Sequence, residues 1–316
     1  MNCYRINFLI KNLPTYIVNR FLISLLGALL FQSSFGQLIV NTEGEFNLES
    51  DYFNPDEVKT RKIKSVTVTY SDKKSLQPIK KRQGVSQNYL FDKDGRIIRY
   101  YSTKLMTYGS VDTAVEWRFY KGDKLETVKK TAIEDIKVKT IFYEEGFPTV
   151  EIFGKSESGS SIKTKLNIVS YKEQYAQYIS YVILKKGDSV VNRKALGGKV
   201  VERLTYSYPD STSKKIKIEY PYSPFMNTTR VITYENKLVA RLTVQNPNED
   251  TYEYVYGYDS EQKIAYFTKN NLSKNSTESF SELIYDEDTQ NLQAIITKNY
   301  YTEEISITKY KYTYYP

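Results

Sequence analysis

Carboxylates are the residues of this sequence that could carry chemistry. The chain of 316 residues contains no histidine and a single cysteine, Cys3. Ser-His-Asp and Cys-His centres and imidazole or thiolate zinc sites are therefore excluded. Two acidic clusters remain, Asp92 with Asp94 and residues 286–288. Clustered carboxylates could bind a hard cation or hydrolyse a glycosidic bond.

Both acidic clusters have a simpler explanation as turn formers, since Asp bonds its own backbone two residues on. Neither has the spacing of acids that an EF-hand requires. A glycosidase would also need two carboxyls at a set separation in a cleft. We therefore predict no catalytic residue, no metal site and no cofactor, and keep a carboxylate-dependent glycosidase as an alternative.

The stretch Asn88 to Tyr101 is the clearest local pattern of the chain. Tyr89 and Phe91 alternate with a residue between them, as a strand requires, and a second apolar run follows residues 92–96. Gly95 can adopt the left-handed conformation that closes a short hairpin loop. The stretch therefore predicts two antiparallel strands joined by a tight turn.

The same order of an aromatic residue followed by a turn recurs along the chain. Within the first four and within the last four copies the aromatics stand 23 to 29 residues apart. A period of about 25 residues is the length of two strands and two turns, so each unit adds one hairpin. The aromatic positions are Phe91, Tyr120, Tyr143, Tyr171, Tyr208, Tyr234, Tyr258 and Tyr285.

Composition points to the same fold class. The sequence holds 31 tyrosines and 14 phenylalanines against one tryptophan and three methionines, and aromatic and β-branched residues favour a pleated surface. We predict an all-β protein of consecutive antiparallel hairpins that form a long curled meander or a hairpin spiral. The predicted domains are residues 1–36, a signal peptide; 37–60, an N-terminal arm with a helical turn near 55–58; and 61–316, the hairpin repeats, with a joint within 187–224.

Residues 1–36 are interpreted as an export signal. They contain three basic residues and no acid, an apolar run at 21–31, and small residues at Ser34 and Gly36. Eleven apolar residues are too few for a transmembrane helix, which needs about 20; an uncleaved amphipathic anchor is the alternative. Cleavage would lower the net charge from +8 to +5 and would place the chain in the periplasm, on the cell surface or outside the cell.

One family resemblance can be stated. Residues 89–100, YLFDKDGRIIRY, resemble the YD repeat of the RHS family at Phe91, Asp92, Gly95, Arg96 and Ile97. Partial copies are Tyr258-Asp259 with Ile264 and Tyr285-Asp286 with Leu292. The resemblance implies hairpin spirals in exported or surface-displayed proteins.

The tyrosines supply the candidate binding site. Tyr252, Tyr254, Tyr256 and Tyr258 share one face of a predicted strand, and Tyr310, Tyr312 and Tyr314 do so on the last strand. Such rings could stack sugars or hold an extended peptide with their hydroxyls in water, or they could pack the sheet. Trp117, the single tryptophan, carries the same two interpretations.

The sequence therefore predicts an exported, non-enzymatic envelope protein that binds a glycan, peptide or protein partner through an aromatic sheet face. Nucleic acid is not expected, because the destination is extracytoplasmic. An outer-membrane β-barrel is the alternative of a different class, since it would also combine a signal peptide, tyrosines and hairpins. Charges within strands, as at Lys309 and Lys311, argue against it.

Overall fold

The computed structural model describes residues 37–42, 44, 46, 52–107, 109–131, 137–144, 147–156, 171–183, 189–194 and 199–316. The predicted signal peptide, residues 1–36, lies outside the described residues. The segment Gln37–Pro316 forms one compact unit. All the pairing and packing that follow belong to it.

The unit is built from antiparallel strands, and this confirms the predicted fold class. One helix, α1 (Pro55–Thr60), and one 3-10 turn (Pro224–Met226) accompany eighteen strands among the described residues. The strands are β1 (Ile63–Lys73), β2 (Lys80–Phe91), β3 (Ile97–Leu105), β4 (Val111–Lys121), β5 (Lys124–Thr131), β6 (Lys137–Glu144), β7 (Phe147–Ser156), β8 (Tyr171–Ile183), β9 (Ser189–Lys194), β10 (Val200–Asp210), β11 (Ser213–Glu219), β12 (Thr228–Glu235), β13 (Leu238–Gln245), β14 (Tyr252–Tyr258), β15 (Ile264–Asn271), β16 (Ser276–Tyr285), β17 (Leu292–Asn299) and β18 (Ile305–Tyr314).

Each strand pairs with the strands before and after it in the chain, as a hairpin meander requires. The meander curls until β18 pairs with β1, from Ile63 opposite Tyr314 to Lys73 opposite Ile305. Because β1 also pairs with β2, every described strand has a partner on both sides. Unpaired edges, which would otherwise template aggregation, are thus avoided in the described sheet.

A β-bulge marks the aromatic position that ends the first strand of a hairpin. Phe91 stands opposite Ile97 although its neighbour Leu90 stands opposite Arg99, so Ile98 is the extra residue. The same shift occurs at five further aromatics, namely Tyr120, Tyr143, Tyr234, Tyr258 and Tyr285. A bulge increases the local twist and bends the strand. Six of the eight aromatic positions predicted from the sequence therefore mark a bulge, whereas Tyr171 begins β8 and Tyr208 lies in the irregular stretch between Ser207 and Asp210.

The hydrophobic core lies on the inward face of β1–β3 and β11–β18. Fully buried side chains there include Val66, Phe91, Ile232 and Leu242. Burying one such side chain stabilises the fold by about 1.5–3 kcal/mol. The described residues of the N-terminal arm pack onto this face, with Leu38, Ile39, Phe46, Tyr52 and Phe53 all buried.

The arm is held by its own pairing and by tyrosines of the sheet. Ile39 bridges Phe53 in antiparallel fashion. The hydroxyl of Tyr234 donates to the carbonyl of Thr42 at 3.1 Å. Helix α1 follows at once, with Asn54 as its N-cap and Pro55 in its first turn, as the sequence predicts for residues 55–58.

Two details differ from the sequence prediction. The basic composition of residues 71–84 predicts one loop, but β1 continues to Lys73 and β2 begins at Lys80, so the loop is residues 74–79. The aromatic position Tyr171 predicts a turn directly after it, at residues 172–174, but β8 runs through them and Gln174 is a bulge residue opposite Phe153 and Gly154. In both places the neighbouring strand supplies pairing partners that the local composition does not reveal.

The ladder is continuous across the described residues of the expected joint within 187–224, because β10 pairs with both β9 and β11. The residues Lys185 to Asp188 (KKGD) predict a further turn, which lies outside the described residues. Within the described part of the chain, no helix has the length and apolar character needed to cross a membrane.

Candidate functional site

The four tyrosines of β14 do share the inward face, but most of that face is covered. Tyr256 is 6% exposed. Its hydroxyl donates to the carbonyl of Gly44 in the arm at 2.9 Å, and its ring lies 5.9 Å from that of Phe267. Burial raises the pKa of Tyr256 far above its ordinary value, and the neighbouring Tyr254 and Tyr258 add to the shift.

Tyr258 and Tyr254 also contribute to packing. Tyr258 donates its hydroxyl to the carbonyl of Val239 on the neighbouring strand at 2.9 Å, and burial raises its pKa to about 12. Tyr254 packs against the core cluster. The expectation that these hydroxyls stay in water is therefore wrong for Tyr256 and Tyr258, because backbone carbonyls of the arm and of β13 accept their hydrogen bonds.

Tyr252 is the first residue of β14 and is half-buried. The ammonium of Lys269 stands 4.0 Å from its ring centroid, a cation–π distance. The same ammonium binds Glu278 at 2.7 Å. Burial lowers the pKa of Lys269, but the carboxylate of Glu278 and the adjacent tyrosines raise it on balance.

Trp117 belongs to a different surface. Its neighbour Glu116 stands opposite Tyr100, whose ring packs against the core. Because successive side chains of a strand point to opposite faces, Trp117 points away from the face that holds the β14 tyrosines. The structure therefore does not bring Trp117 and Tyr252–Tyr258 into one site.

The tyrosines of the last strand resemble those of β14 in their role. Tyr310 lies 3.4 Å, hydroxyl to hydroxyl, from Tyr52 of the arm, and Tyr312 donates to the carbonyl of Leu292 at 2.8 Å. Burial raises the pKa of both tyrosines. Tyr314, the third ring of this set, is exposed and accepts a hydrogen bond from Asn291 at 3.0 Å.

The acidic clusters act in turns. Asp92 Oδ1 accepts the backbone N–H groups of Asp94 and Arg96 at 2.9 and 3.0 Å. Asp286 Oδ1 accepts from the backbone and the hydroxyl of Thr289 at 2.7 and 2.8 Å. No group of three or more His, Cys, Asp or Glu side chains that could hold a metal ion occurs among the residues the structure describes.

The inward face carries a cleft of about 350 Å³. It lies at the ends of β1, β2 and β3 that are remote from helix α1. Tyr70 and Tyr100 supply its aromatic wall, and Gln87, Ser102 and Lys104 supply polar groups. Small-molecule sites usually have volumes of roughly 300–1,000 Å³ with a few convergent polar groups. The described arm residues do not line this cleft, in contrast to the surroundings of Tyr256.

Arg82 lines the cleft as one half of an ion pair. It donates two hydrogen bonds to Asp72, the one from Nη2 to Oδ1 measuring 2.6 Å, and Ser306 donates to the same carboxylate at 3.1 Å. The hydrogen bonds from Arg82 hold the pKa of Asp72 below its ordinary value, against the effect of burial. The Asp72–Arg82 pair thus connects β1 and β2, and Ser306 extends it to β18.

Sequence reasoning missed this cleft although its parts were visible. Tyr70 ends the alternating run of β1, and Arg82 belongs to the basic cluster of residues 80–82. Their meeting depends on the β1–β2 register, which shifts between Thr69 and Ser71. A one-residue slip would send one of the two side chains to the other face.

Comparisons with known proteins give only distant likenesses. No family model matches the sequence, and no curated protein matches it. A porin-like protein from Bacteroides uniformis is 13% identical, with 80% of this chain and 97% of that chain covered and a TM-score of 0.42. A porin-like protein from Bacteroides vulgatus (11% identical; 78% and 98% covered) has a TM-score of 0.36, and a LolA superfamily protein from Nitrosomonas europaea (8%; 79% and 84%) has 0.23.

Proposed function

We propose that this chain is an exported, non-enzymatic envelope protein that binds an oligosaccharide bearing an acidic group in the cleft of Tyr70, Gln87 and Tyr100. The observation that carries the proposal is the position of this cleft on the part of the aromatic face that the described arm does not line. Aromatic rings stack on the apolar faces of sugars, and amide and hydroxyl groups bind sugar hydroxyls.

The acidic group of the ligand follows from the charges around the cleft. Arg82 and Lys104 both line it, and no carboxylate is among its described lining residues. Asp72 binds Arg82 through Nε and Nη2, so Nη1 is the part of the guanidinium that can bind a ligand. A guanidinium is a strong donor to a carboxylate or a phosphate. An acidic sugar can therefore accept stronger hydrogen bonds from the side chains of the cleft than a neutral sugar can.

A glycan array probed with the chain from Gln37 onward tests the proposal. Tyr70→Ala and Gln87→Ala should each weaken the binding of acidic glycans by roughly tenfold or more, because loss of an anchoring side chain commonly costs over 1 kcal/mol. Tyr208→Ala is the matched control, as Tyr208 is an exposed strand tyrosine outside the cleft. Gln87→Ala leaves the aromatic wall in place, so it tests binding even where Tyr70→Ala is unstable. Acidic glycans that bind all variants equally, or not at all, would contradict the assignment.

Export and location are part of the same proposal and have their own test. Protein recovered from native envelopes should begin at Gln37, and it should be released from the pellet by a sodium carbonate wash. An intact first segment would contradict cleavage. Retention in the pellet after the wash would instead favour the outer-membrane β-barrel.

We further propose that the turns at Asp92, Asp259 and Asp286 are copies of one YD-like unit. The first two turns share their hydrogen bonds: Asp259 Oδ1 accepts from Glu261 and Lys263 at 2.9 Å, as Asp92 does from Asp94 and Arg96. The position of Gly95 is taken by Gln262, also at positive φ. Asp92→Asn, Asp259→Asn and Asp286→Asn should each destabilise the fold, by about 1 kcal/mol in urea unfolding; a neutral result for all three would refute a shared turn function.

A further inference from the structure

The two rims of the described sheet differ in character. Helix α1 lies against one of them, which we call the helix rim: Lys59 binds Asp94 at 3.1 Å, and Arg61 donates to the carbonyl of Thr289 at 2.6 Å. The opposite rim, which we call the loop rim, carries the connections β1–β2, β3–β4, β11–β12, β13–β14, β15–β16 and β17–β18. Because β18 pairs with β1, these six connections follow one another along the rim.

Large apolar side chains stand exposed on the loop rim. Among the described residues, every exposed large hydrophobic side chain that lies in a connection rather than a strand belongs to this rim. Leu76 is 103% exposed and Phe225 is 68% exposed. The other members that are more than half exposed are Ile79, Tyr222, Met226 and Tyr301. Exposed apolar side chains concentrated in the connections of one rim indicate an interaction site.

Positive charge surrounds the apolar tip of the β1–β2 connection. Residues 72–82 contain five basic residues and one acid, a net charge of +4, and the acid, Asp72, is bound to Arg82. Lys73 and Lys74 precede Leu76, and two further lysines follow Ile79. A cleft of about 440 Å³ between this connection and β17–β18 adds Lys298 and Tyr300, with Glu303 as its acid.

We propose that the β1–β2 tip of the loop rim rests on the surface of an anionic phospholipid bilayer, with Leu76 and Ile79 inserted among the acyl chains. Lysines near such a surface are attracted to acidic headgroups, and apolar residues flanked by basic ones are typical of interfacial binding. Tyr300, which lines the adjoining cleft, fits the headgroup region, where its ring is apolar and its hydroxyl wet. The charge excess at the tip favours a lipid surface over an apolar protein groove.

Vesicle sedimentation with the chain from Gln37 onward tests this proposal without any glycan. Binding is expected to vesicles that contain phosphatidylglycerol and not to vesicles of phosphatidylcholine alone, and it should weaken with salt. The double variant Leu76→Asp/Ile79→Asp should lower the partition coefficient by at least about tenfold. Lys80→Gln/Lys81→Gln should lower it by about tenfold and reduce its dependence on salt.

The control variant is Tyr208→Ser, which removes an exposed aromatic side chain from strand β10 near the helix rim. It should bind vesicles like the parent chain. Leu76 and Ile79 are exposed, so equal melting temperatures are expected for the parent and the double variant. Absence of binding to anionic vesicles, or binding that both double variants leave unchanged, would overturn the proposal and point to a protein partner for the loop rim.

Discussion

At the scale of single residues, tyrosine hydroxyls act as connectors between strands. Tyr120, Tyr258, Tyr285 and Tyr312 each donate to the carbonyl of an aliphatic residue at or near the start of a strand, 19 to 23 positions earlier in the chain. The distances lie between 2.8 and 3.0 Å. A phenylalanine could fill the same space but would leave the carbonyl unpaired. At these four positions the hydroxyl therefore gives tyrosine a role that phenylalanine or leucine could not fill.

Removal of one such hydroxyl should have a small and specific cost. Tyr258→Phe and Tyr285→Phe should each lower the free energy of unfolding by about 1 kcal/mol, because a partly buried carbonyl loses its donor. Urea unfolding followed by circular dichroism measures the change. Tyr222→Phe, at an exposed tyrosine of the loop rim, should change it by less than about 0.5 kcal/mol. Equal effects at all three positions would show that the hydroxyls do not act as connectors.

Tyr256 should behave as a core residue. Tyr256→Ala removes a ring that is 6% exposed and should cost about 3–5 kcal/mol, the usual cost of deleting a buried aromatic ring. Thermal melting of the variant measures the loss. A variant that melts like the parent chain but loses glycan binding would return Tyr256 to the binding site.

At the scale of elements, the hairpin turn at Asp92 to Arg96 also docks helix α1. Gly95 has a φ of +81°, and a Cβ atom there would stand 1.9 Å from the carbonyl oxygen of Pro55. The backbone of the helix therefore approaches the turn too closely for any side chain. Glycine is therefore required at position 95 for two reasons: the left-handed backbone conformation and the close contact with α1.

Two glycine substitutions separate these reasons. Gly122→Ala, where φ is +58° and no atom lies within 4 Å of the added Cβ, should cost about 1 kcal/mol for the left-handed backbone alone. Gly95→Ala should cost at least about 2 kcal/mol more, since a backbone clash is added. Denaturant midpoints of the two variants provide the comparison. Similar midpoints would mean that α1 moves away without loss.

At the scale of the whole molecule, buried tyrosines couple stability to alkaline pH. Burial raises the pKa of Tyr258 to about 12 and raises those of Tyr256, Tyr285, Tyr310 and Tyr312. In the unfolded chain tyrosine ionises near pH 10. The folded state therefore holds these protons at a pH at which the unfolded state releases them. Their contribution is fully present below about pH 10 and is lost as the pH rises above it.

Alkaline titration should show this coupling. Each retained proton makes the free energy of unfolding fall by about 1.4 kcal/mol per pH unit above the unfolded pKa, so we expect cooperative unfolding between about pH 10 and 12. Tyrosine absorbance should rise in two phases, exposed rings first and buried rings on unfolding. Tyr258→Phe should lessen the slope between pH 10 and 12, and a slope unchanged in that variant would contradict the assignment.

Acid pH should act through the pair that joins β1 and β2. Hydrogen bonds from Arg82 lower the folded pKa of Asp72, against the effect of burial, so its contribution is present above the unfolded pKa of about 3.9 and is lost as the pH falls through the lower folded value. Asp72→Asn should remove that part of the acid dependence. Thermal melting at neutral pH and below pH 4 measures it, with Asp123→Asn, at a fully exposed acid, as the control. If the melting temperatures of the parent chain and of Asp72→Asn changed in parallel with pH, this role would be contradicted.

The sequence by itself determined the all-β class, the hairpin order, α1 and most turns, because alternation, aromatic position and Asp or Gly chemistry act over a few residues. The bulges were not predicted, although the aromatics that mark them were. The tertiary structure alone decided that β18 pairs with β1, that the arm covers Tyr256, and that Tyr70 meets Arg82 in a cleft while Trp117 faces the other way. These facts depend on strand register and on contacts between residues up to about 250 positions apart, such as Ser65 with Thr313. Local periodicity carries no information about such distances, since one residue of slip exchanges the two faces of a strand.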